Sequence, residues 1–521
     1  MGIPSYYRRL VGSIGGLLYN TKPGTLVASG AHQLLMDFNC LIYHVLRDPK
    51  RAPYPGSDGF ERRCWIDRLY DDIVRYTMNV IRGAGAERVF IAIDGVVPMA
   101  KIRQQRMRRF KSAATTAAEP AFDSNAITPG TAFMTGLRTR LEEMICDENK
   151  CDKWILSSAD EPGEGEHKLL AELRANASLN EANKPYIVYG LDGDLIVLLL
   201  WTQALGITGS APIWLYRENV DNEAESVAET TYSWFSIDRL RDYLRDSEGV
   251  HIGDYCAAMM LLGNDFLPTS ITFKIKDGGH NFLLGWLKTS LQRGERFLTN
   301  DNRLKMETWR RLFKQLAAVE ERRFLEAIQK KWRGVIADSE NEKPMIWRQE
   351  KAFLKNPDAL ADELQLRADW RSIYARKAFH ATAGAEEATI KGAITAYYDS
   401  MNWIVDYYVG RPVSDSWTYS WLLPPLWEDI YAAVPKTRGA SAGPCVEQVP
   451  LRPQEQLALV LPASSWNLIP AEDPASKFLA AAPEFFPVHF EYESIGKRYT
   501  WEVEPAIPIP SIEQLRAILN T

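Results

Sequence analysis

Short apolar runs that stop at an acid punctuate the first half of the chain. Gln33-Leu34-Leu35-Met36 reads as a buried strand ending at Asp37, and Arg88-Val89-Phe90-Ile91-Ala92-Ile93 as another ending at Asp94. Between them Ile66, Leu69, Ile73, Tyr76 and Val80 recur at helical spacing, and Gly83 and Gly85 close that helix. The alternation then repeats. Trp154-Ile155-Leu156 leads into Glu161-Pro162-Gly163-Glu164-Gly165-Glu166-His167-Lys168, and Tyr186-Ile187-Val188-Tyr189 runs into Gly190-Leu191-Asp192-Gly193-Asp194. Ile213-Trp214-Leu215-Tyr216 follows. Strands alternating with helices predict an α/β fold with a largely parallel central sheet and flanking helices. Ligands of such sheets bind beyond the carboxyl ends of the strands. Asp254 to Leu262 reads as a short buried helix stopped by Gly263, with Asp265 just beyond.

Asp37, Asp94, Glu164, Glu166, Asp192 and Asp194 fall at that predicted edge, and Asp265 adds a seventh acid. Any one of these aspartates alone fits a turn or a helix cap equally well. The loop at 161–168 alone fits either a solvated surface or a cation site. Gly163 and Gly165 let the backbone turn tightly enough for Glu164 and Glu166 to face one point, and carboxylates crowded together resist burial unless a cation neutralises them. Seven acids in register with strand and helix ends point to a two-metal site, whose ions lie about 3.5–4 Å apart and serve phosphodiester cleavage. Ligation by carboxylates alone suits Mg²⁺ or Mn²⁺ rather than zinc. His167 reads as structural, and Lys168 as a helix residue without an assigned role.

A net charge of −6 argues against a protein that coats nucleic acid through its overall charge. The run Lys101 to Lys111, KIRQQRMRRFK, is the local exception, with six basic residues and no acidic one. Lys101, Gln105, Arg108 and Arg109 share one helix face, where guanidinium forks and an ammonium can hold phosphate oxygens. A phosphate pocket and a nonspecific patch fit the run equally at this point. A length of 521 residues predicts roughly three domains. No apolar run reaches the ~18 residues of a membrane span, and Met1-Gly2-Ile3-Pro4-Ser5-Tyr6 lacks the regions of a signal peptide. Cysteines at 40, 64, 146, 151, 256 and 445 form no paired ligand set, which predicts reduced thiols and an intracellular protein.

Further along, Leu304, Trp309, Leu312, Leu316 and Val319 give an amphipathic helix, with Glu320-Glu321-Arg322-Arg323 as its solvated face. Residues 352–387 read as a solvated helical connection, Ser112 to Pro120 as a short linker, and Pro435 to Pro510 as a proline-rich segment wrapped over the first domain. The expected division is an α/β nuclease domain over 1–270, a mainly helical segment over 271–395, and a second region over 396–521 packed on the first.

These motifs resemble those of the XRN family of 5′→3′ exoribonucleases, distant relatives of the flap endonucleases. The resemblance is carried by MGIPSYYRRL, Asp37-Phe38-Asn39, AIDGVVPMAKIRQQRMRRF, FDSNAITPGTAFM, EPGEGEHK, YGLDGDLIVL and LLGNDFLP, in that order. It continues through FLTNDNRLKMETW, YYDSMNWIVDYYVG, RPQEQLALVLPASSWNLIP and GKRYTWEVEPAIPIP, and so covers nearly the whole chain. It implies that Asp37, Asp94, Glu164, Glu166, Asp192, Asp194 and Asp265 are catalytic acids holding two Mg²⁺ or Mn²⁺ ions. It implies that Lys101, Gln105, Arg108 and Arg109 receive a 5′-monophosphate and exclude a cap or triphosphate. Tyr43 or His44 takes the place of a base-stacking histidine, and Trp417 or Tyr419 that of the opposing tryptophan. Gly193 stands where the family has alanine, Thr269 where it has histidine, and the family's long helix after the basic motif is expected to be lost. The implied function is processive hydrolysis of single-stranded RNA with a 5′-monophosphate to mononucleotides, as in mRNA decay. The expected setting is a monomer in the cytoplasm rather than the nucleus, away from membranes and without partner-binding tails. The rival readings are a flap-type structure-specific DNA nuclease and a catalytically silent RNA-binding protein on the same fold.

Overall fold

The computed structural model describes residues 2–20, 30–56, 59–115, 121–180, 182–219, 226–227, 230–333, 348–381, 386–433 and 449–520. Seven strands form the main sheet: β1 (Leu18–Asn20), β2 (Gln33–Asp37), β3 (Arg88–Ala92), β4 (Trp154–Ser157), β5 (Tyr186–Tyr189), β6 (Ile213–Glu218) and β7 (Tyr232–Ser236). Their order is β1-β7-β6-β5-β2-β3-β4. The five strands from β6 to β4 are mutually parallel, and β7 and β1 close the other edge antiparallel. Helices α1 (Tyr6–Ser13), α2 (Asn39–Leu46), α3 (Phe60–Ala84), α4 (Met99–Thr115), α5 (Ala132–Asp147), α6 (Gly165–Asn176) and α7 (Gly193–Ala204) belong to this part.

The central strands are apolar because both their faces are covered. In β2, Leu35 packs into one core with Leu169 and Leu195, while Leu34 and Met36 pack into another with Leu69 and Ile73. The chain steps from β2 to β3 and β4, then returns to place β5 on the other side of β2. The carboxyl ends of β2 and β5 therefore flank the crevice where such sheets bind ligands. Helix α3 ends at Gly85, whose φ of 66° puts it in the left-handed region, with its amide on Ile81 O. Gly83 does not close the helix. A Cβ there would lie 2.7 Å from the Tyr216 hydroxyl, so this glycine admits close packing.

Beyond α8 (Ile237–Asp242), α9 (Ile252–Met259) and α10 (Gly279–Gln292), the chain is helical: α11 (Met306–Arg333), α12 (Trp370–Phe379), α13 (Glu386–Val409), α14 (Trp427–Ala433) and α15 (Pro453–Val460). Glu320 is not part of a solvated face. It is buried and accepts the amides of Trp427 at 2.7 Å and Glu428 at 3.2 Å, so it caps α14. Residues 352–381 are not a solvated connection either, because Phe353, Leu364, Trp370 and Tyr374 form a core with Phe324; positions 382–385 lie outside the described residues. Ser112 to Thr115 continue α4 instead of starting a linker, and 116–120 lie outside the described residues. Of the Pro435–Pro510 segment, 435–448 are outside the described residues, and Leu457 to Leu461 pack on Val97, Met99, Ile102 and Phe110. No helix among the described residues is long and apolar enough to cross a membrane.

Candidate active site

Two loops beyond the sheet are stitched together by their backbones. The Gly95 amide donates to Gly163 O at 2.9 Å and the Gly163 amide to Val96 O at 2.7 Å. The approach is so close that a Cβ on Gly95 would overlap Glu161 O, and Gly163 turns at a φ of 110°. Asp94 after β3 is thereby brought to the N-terminus of α6, where one of its oxygens accepts the Gly165 amide at 2.7 Å and the other the Asn39 side chain at 2.9 Å. A Cβ on Gly165 would lie 2.8 Å from an Asp37 oxygen. Glu164 stands just before α6 and Glu166 in its first turn, while Asp192 and Asp194 hold the same positions on α7. Asp265 completes the group from the loop after α9.

Lys101 of α4 sits among these acids. Its ammonium lies 2.6 Å from Glu164 and 2.8 Å from Asp265. Burial opposes its charge, but Asp265, Glu164, Glu166 and Asp194 outweigh burial and hold its pKa well above the usual lysine range. One ammonium does not neutralise seven carboxyls. Burial, then Asp94 and Asp192, push Asp37 well up, and burial, then Asp194 and Glu164, do the same to Glu166. Asp194 is raised to about 7 by burial and by Asp192 and Asp265. Asp265 goes the other way, since Lys101 overcomes its burial. An excess of buried carboxylate that binds protons instead of staying charged is the donor set a hard cation needs. One Asp194 oxygen is buried with no hydrogen-bond partner among the described residues. Glu164, Glu166 and His167 each place a ligand atom within 4.8 Å of the others, a group that could hold a metal.

Several contributors are poorly marked in the sequence. The Tyr407 hydroxyl of α13 donates to Glu164 at 2.7 Å, and its ring lies between His167 at 3.6 Å and Trp403 at 4.7 Å. Burial, Lys101 and Arg174 press His167 down to about 3, which keeps its ring neutral against that stack. Lys168 donates to Ile93 O at 2.7 Å and Ser158 O at 2.8 Å, and so ties the ends of β3 and β4 under the acids. The stitched loops and Asn39 were signalled only by glycines and by an asparagine two residues after Asp37.

Helix α4 divides its basic residues between two tasks. Gln105 and Arg109 are buried, and Gln105 Oε1 and Arg109 Nη1 have no hydrogen-bond partner among the described residues. Burial lowers Arg109 to about 10, with Tyr43, Arg108, Asp123 and Asp94 as its charged or polar surroundings. Arg108 is exposed. Arg106, in contrast, donates to Leu459 O, Pro508 O and Phe485 O, and Lys111 to Thr500 O and Val503 O, so two of the six basic residues anchor the C-terminal region.

The four stacking candidates separate. Tyr43 is half-buried with Arg47 over its ring. His44 turns toward Tyr76 at 5.1 Å, with Nε2 on the Thr230 hydroxyl. Trp417 is half-buried on Trp403 at 5.2 Å, extending the His167–Tyr407–Trp403 column. Tyr419 is 0% exposed with its hydroxyl on Leu423 O, which leaves its ring no face for a base and removes it as a candidate.

Two family descriptions match this chain: the XRN 5'-3' exonuclease N-terminus over residues 1–208, and the Xrn1 helical domain over residues 326–520. The chain belongs to the XRN family. It is 26% identical to 5'-3' exoribonuclease 1 of Homo sapiens, a match that covers 100% of this chain and 34% of that relative. It is 24% identical to 5'-3' exoribonuclease 2 of Arabidopsis thaliana, over 99% of this chain and 66% of the relative. With 5'-3' exoribonuclease 2 of Debaryomyces hansenii it shares 30% identity over 56% of this chain and 34% of the relative. The chain thus spans from about a third to just under two thirds of the length of these XRN relatives. The stitched loops and the acids lie within the part matched by the N-terminal XRN description, apart from Asp265, and Tyr407 within the part matched by the helical one.

Proposed function

We propose that the chain is a processive 5′→3′ exoribonuclease that hydrolyses single-stranded RNA carrying a 5′-monophosphate, with two Mg²⁺ or Mn²⁺ ions held by Asp37, Asp94, Glu164, Glu166, Asp192, Asp194 and Asp265. The observation that carries this reading is the meeting of an uncompensated acid cluster with an unpartnered guanidinium donor. Arg109 Nη1 is buried with no hydrogen-bond partner among the described residues, on the helix whose Lys101 enters the cluster. Bound divalent ions would supply Lewis acidity toward the attacking water and the leaving oxygen.

The chain's own residues orient the rest. Asn39 and the Gly165 amide fix Asp94, and Tyr407 and Lys101 fix Glu164, so that both carboxylates are aimed before substrate arrives. Arg109, Arg108 and Lys101 hold the terminal phosphate by charge-assisted hydrogen bonds, and Tyr43 and Trp417 offer the ring faces for the first base, each such stack contributing about 1–3 kcal/mol. Holding the end in a closed pocket sets the cut one nucleotide away. The chain division at 270 and 395 belongs to this proposal: the first part carries six acids and Asp265 near its end, and the last supplies Tyr407 and Trp417.

One RNA prepared with a 5′-monophosphate, a 5′-triphosphate and a 5′-hydroxyl tests the reading, with Mg²⁺ and with chelator. Decay of the monophosphate form alone, abolished by chelation, is expected. Equal decay of all three would remove the pocket assignment, and activity in chelator would remove the metal assignment. A DNA strand of the same sequence cut faster than the RNA would favour the flap-nuclease reading instead.

A further inference from the structure

A second cavity opens on the other flank of helix α4, bounded by Gln104, Met107 and Lys111, by the 262–276 loop and by the 497–505 segment. Asp265 lies in its wall and, through Lys101, joins it to the acid cluster. Six cations line it, Arg103, Arg108, Lys111, Lys274, Lys276 and Lys497, against the carboxylates of Asp265, Glu502 and Glu504. Asp265 is paired with Lys101, and Glu502 accepts the amides of Arg498 and Tyr499. The surplus positive charge favours an anion.

The walls are built for a ligand and not merely charged. Arg103 is 7% exposed, and its Nε has no hydrogen-bond partner among the described residues; the same holds for Gln104 Oε1. A buried guanidinium N–H suits a phosphate oxygen, and an amide oxygen suits a hydroxyl or amino group. The mouth is aromatic. Trp501 lines the cavity while 50% exposed, and it stacks on Tyr499, itself 44% exposed, with centroids 5.7 Å apart and planes 11° from parallel. Lys276 stands 4.3 Å and 4.7 Å from the two ring centroids. Exposed parallel rings beside a basic recess are what a nucleobase stacks on.

We propose that this cavity binds a nucleoside 5′-monophosphate, with the phosphate among the wall cations and the base against Trp501. Such a nucleotide is the product of the reaction proposed above, and the inference rests on that reading for its product role. It places a holding site for the released nucleotide beside Asp265, with Arg108 at the border between this cavity and the phosphate pocket.

Titration of adenosine 5′-monophosphate, adenosine and inorganic phosphate into the full chain in chelator, read by calorimetry and tryptophan fluorescence, tests the site. The nucleotide should bind at least tenfold tighter than either fragment. Trp501→Ala and Lys276→Glu, both at exposed positions, should each weaken it at least fivefold. Equal binding of nucleotide and phosphate, or indifference to both cavity substitutions, would overturn the proposal. The titration needs neither metal nor RNA. A chain that binds the nucleotide in this way yet leaves RNA intact fails the exonuclease reading while supporting the site, and a chain that cleaves RNA but fails the titration does the reverse.

Discussion

Glu164 is held between a phenol and an ammonium, and each partner does a different thing. Lys101 offsets its charge; the Tyr407 hydroxyl fixes its direction, from a ring immobilised between His167 and Trp403. A hydrogen bond to a charged group contributes about 1.5–3 kcal/mol. Tyr407→Phe keeps the ring stack and removes only that bond, so the Mg²⁺ concentration for half-maximal RNA hydrolysis should rise about tenfold. An unchanged Mg²⁺ midpoint would show that Tyr407 does not position Glu164. Asp194 gives a pH prediction. Its carboxyl titrates at about 7 when folded and at about 3.9 when unfolded. A folded pKa raised in this way stabilises the fold below pH ~4, and that stabilisation is lost as pH rises toward 7. In chelator, Tm of the chain should therefore fall from pH 5 to pH 8 more steeply than Tm of Asp194→Asn, and Mg²⁺ should restore it at pH 8. Parallel profiles for the two proteins would contradict the assignment of Asp194 to a crowded buried acid.

Elements were legible where one face decides their chemistry. The apolar runs at 33–36 and 186–189 are strands because they are covered on both sides, and the acids after them mark the carboxyl edge. Periodicity places a residue on a helix face but does not say what covers that face. Glu320 and the residues around Trp370 therefore read as solvated, although each is covered by an element distant in sequence. The basic run posed the same difficulty, since Arg106 and Arg109 carry identical charge three positions apart and face opposite neighbours. Glu320 tests this at element scale. Its side chain caps α14 through the amides of Trp427 and Glu428, and losing a cap costs about 0.5–2 kcal/mol. Burial raises Glu320 to about 7, so its charge adds little and its two acceptor oxygens, one for each amide, matter more. Denaturant unfolding should show Glu320→Ala less stable by that amount and Glu320→Gln, which keeps one of the two acceptor oxygens, less stable by only part of it; equal losses in both would mean that a single acceptor does not suffice.

At the scale of the whole molecule, helix α4 is the piece against which both halves close. One flank presents Gln105 and Arg109 beside the acids, and the other receives the C-terminal region. Arg106 satisfies three backbone carbonyls of that region, from Leu459, Phe485 and Pro508. Each carbonyl left buried without a partner costs about 1–3 kcal/mol. Arg106→Ala should loosen residues 449–520 first, seen as faster amide hydrogen exchange there than in the sheet; uniform change across the chain would argue against an anchoring role. The acids and the phosphate-facing residues converge on one end of an RNA, and that is the central claim. Its most direct test is an RNA labelled at its 5′-monophosphate and incubated with the full chain and Mg²⁺. The label should appear from the first turnover as a mononucleotide, and not at all in chelator. Label released within longer fragments, or released without a divalent ion, would contradict it.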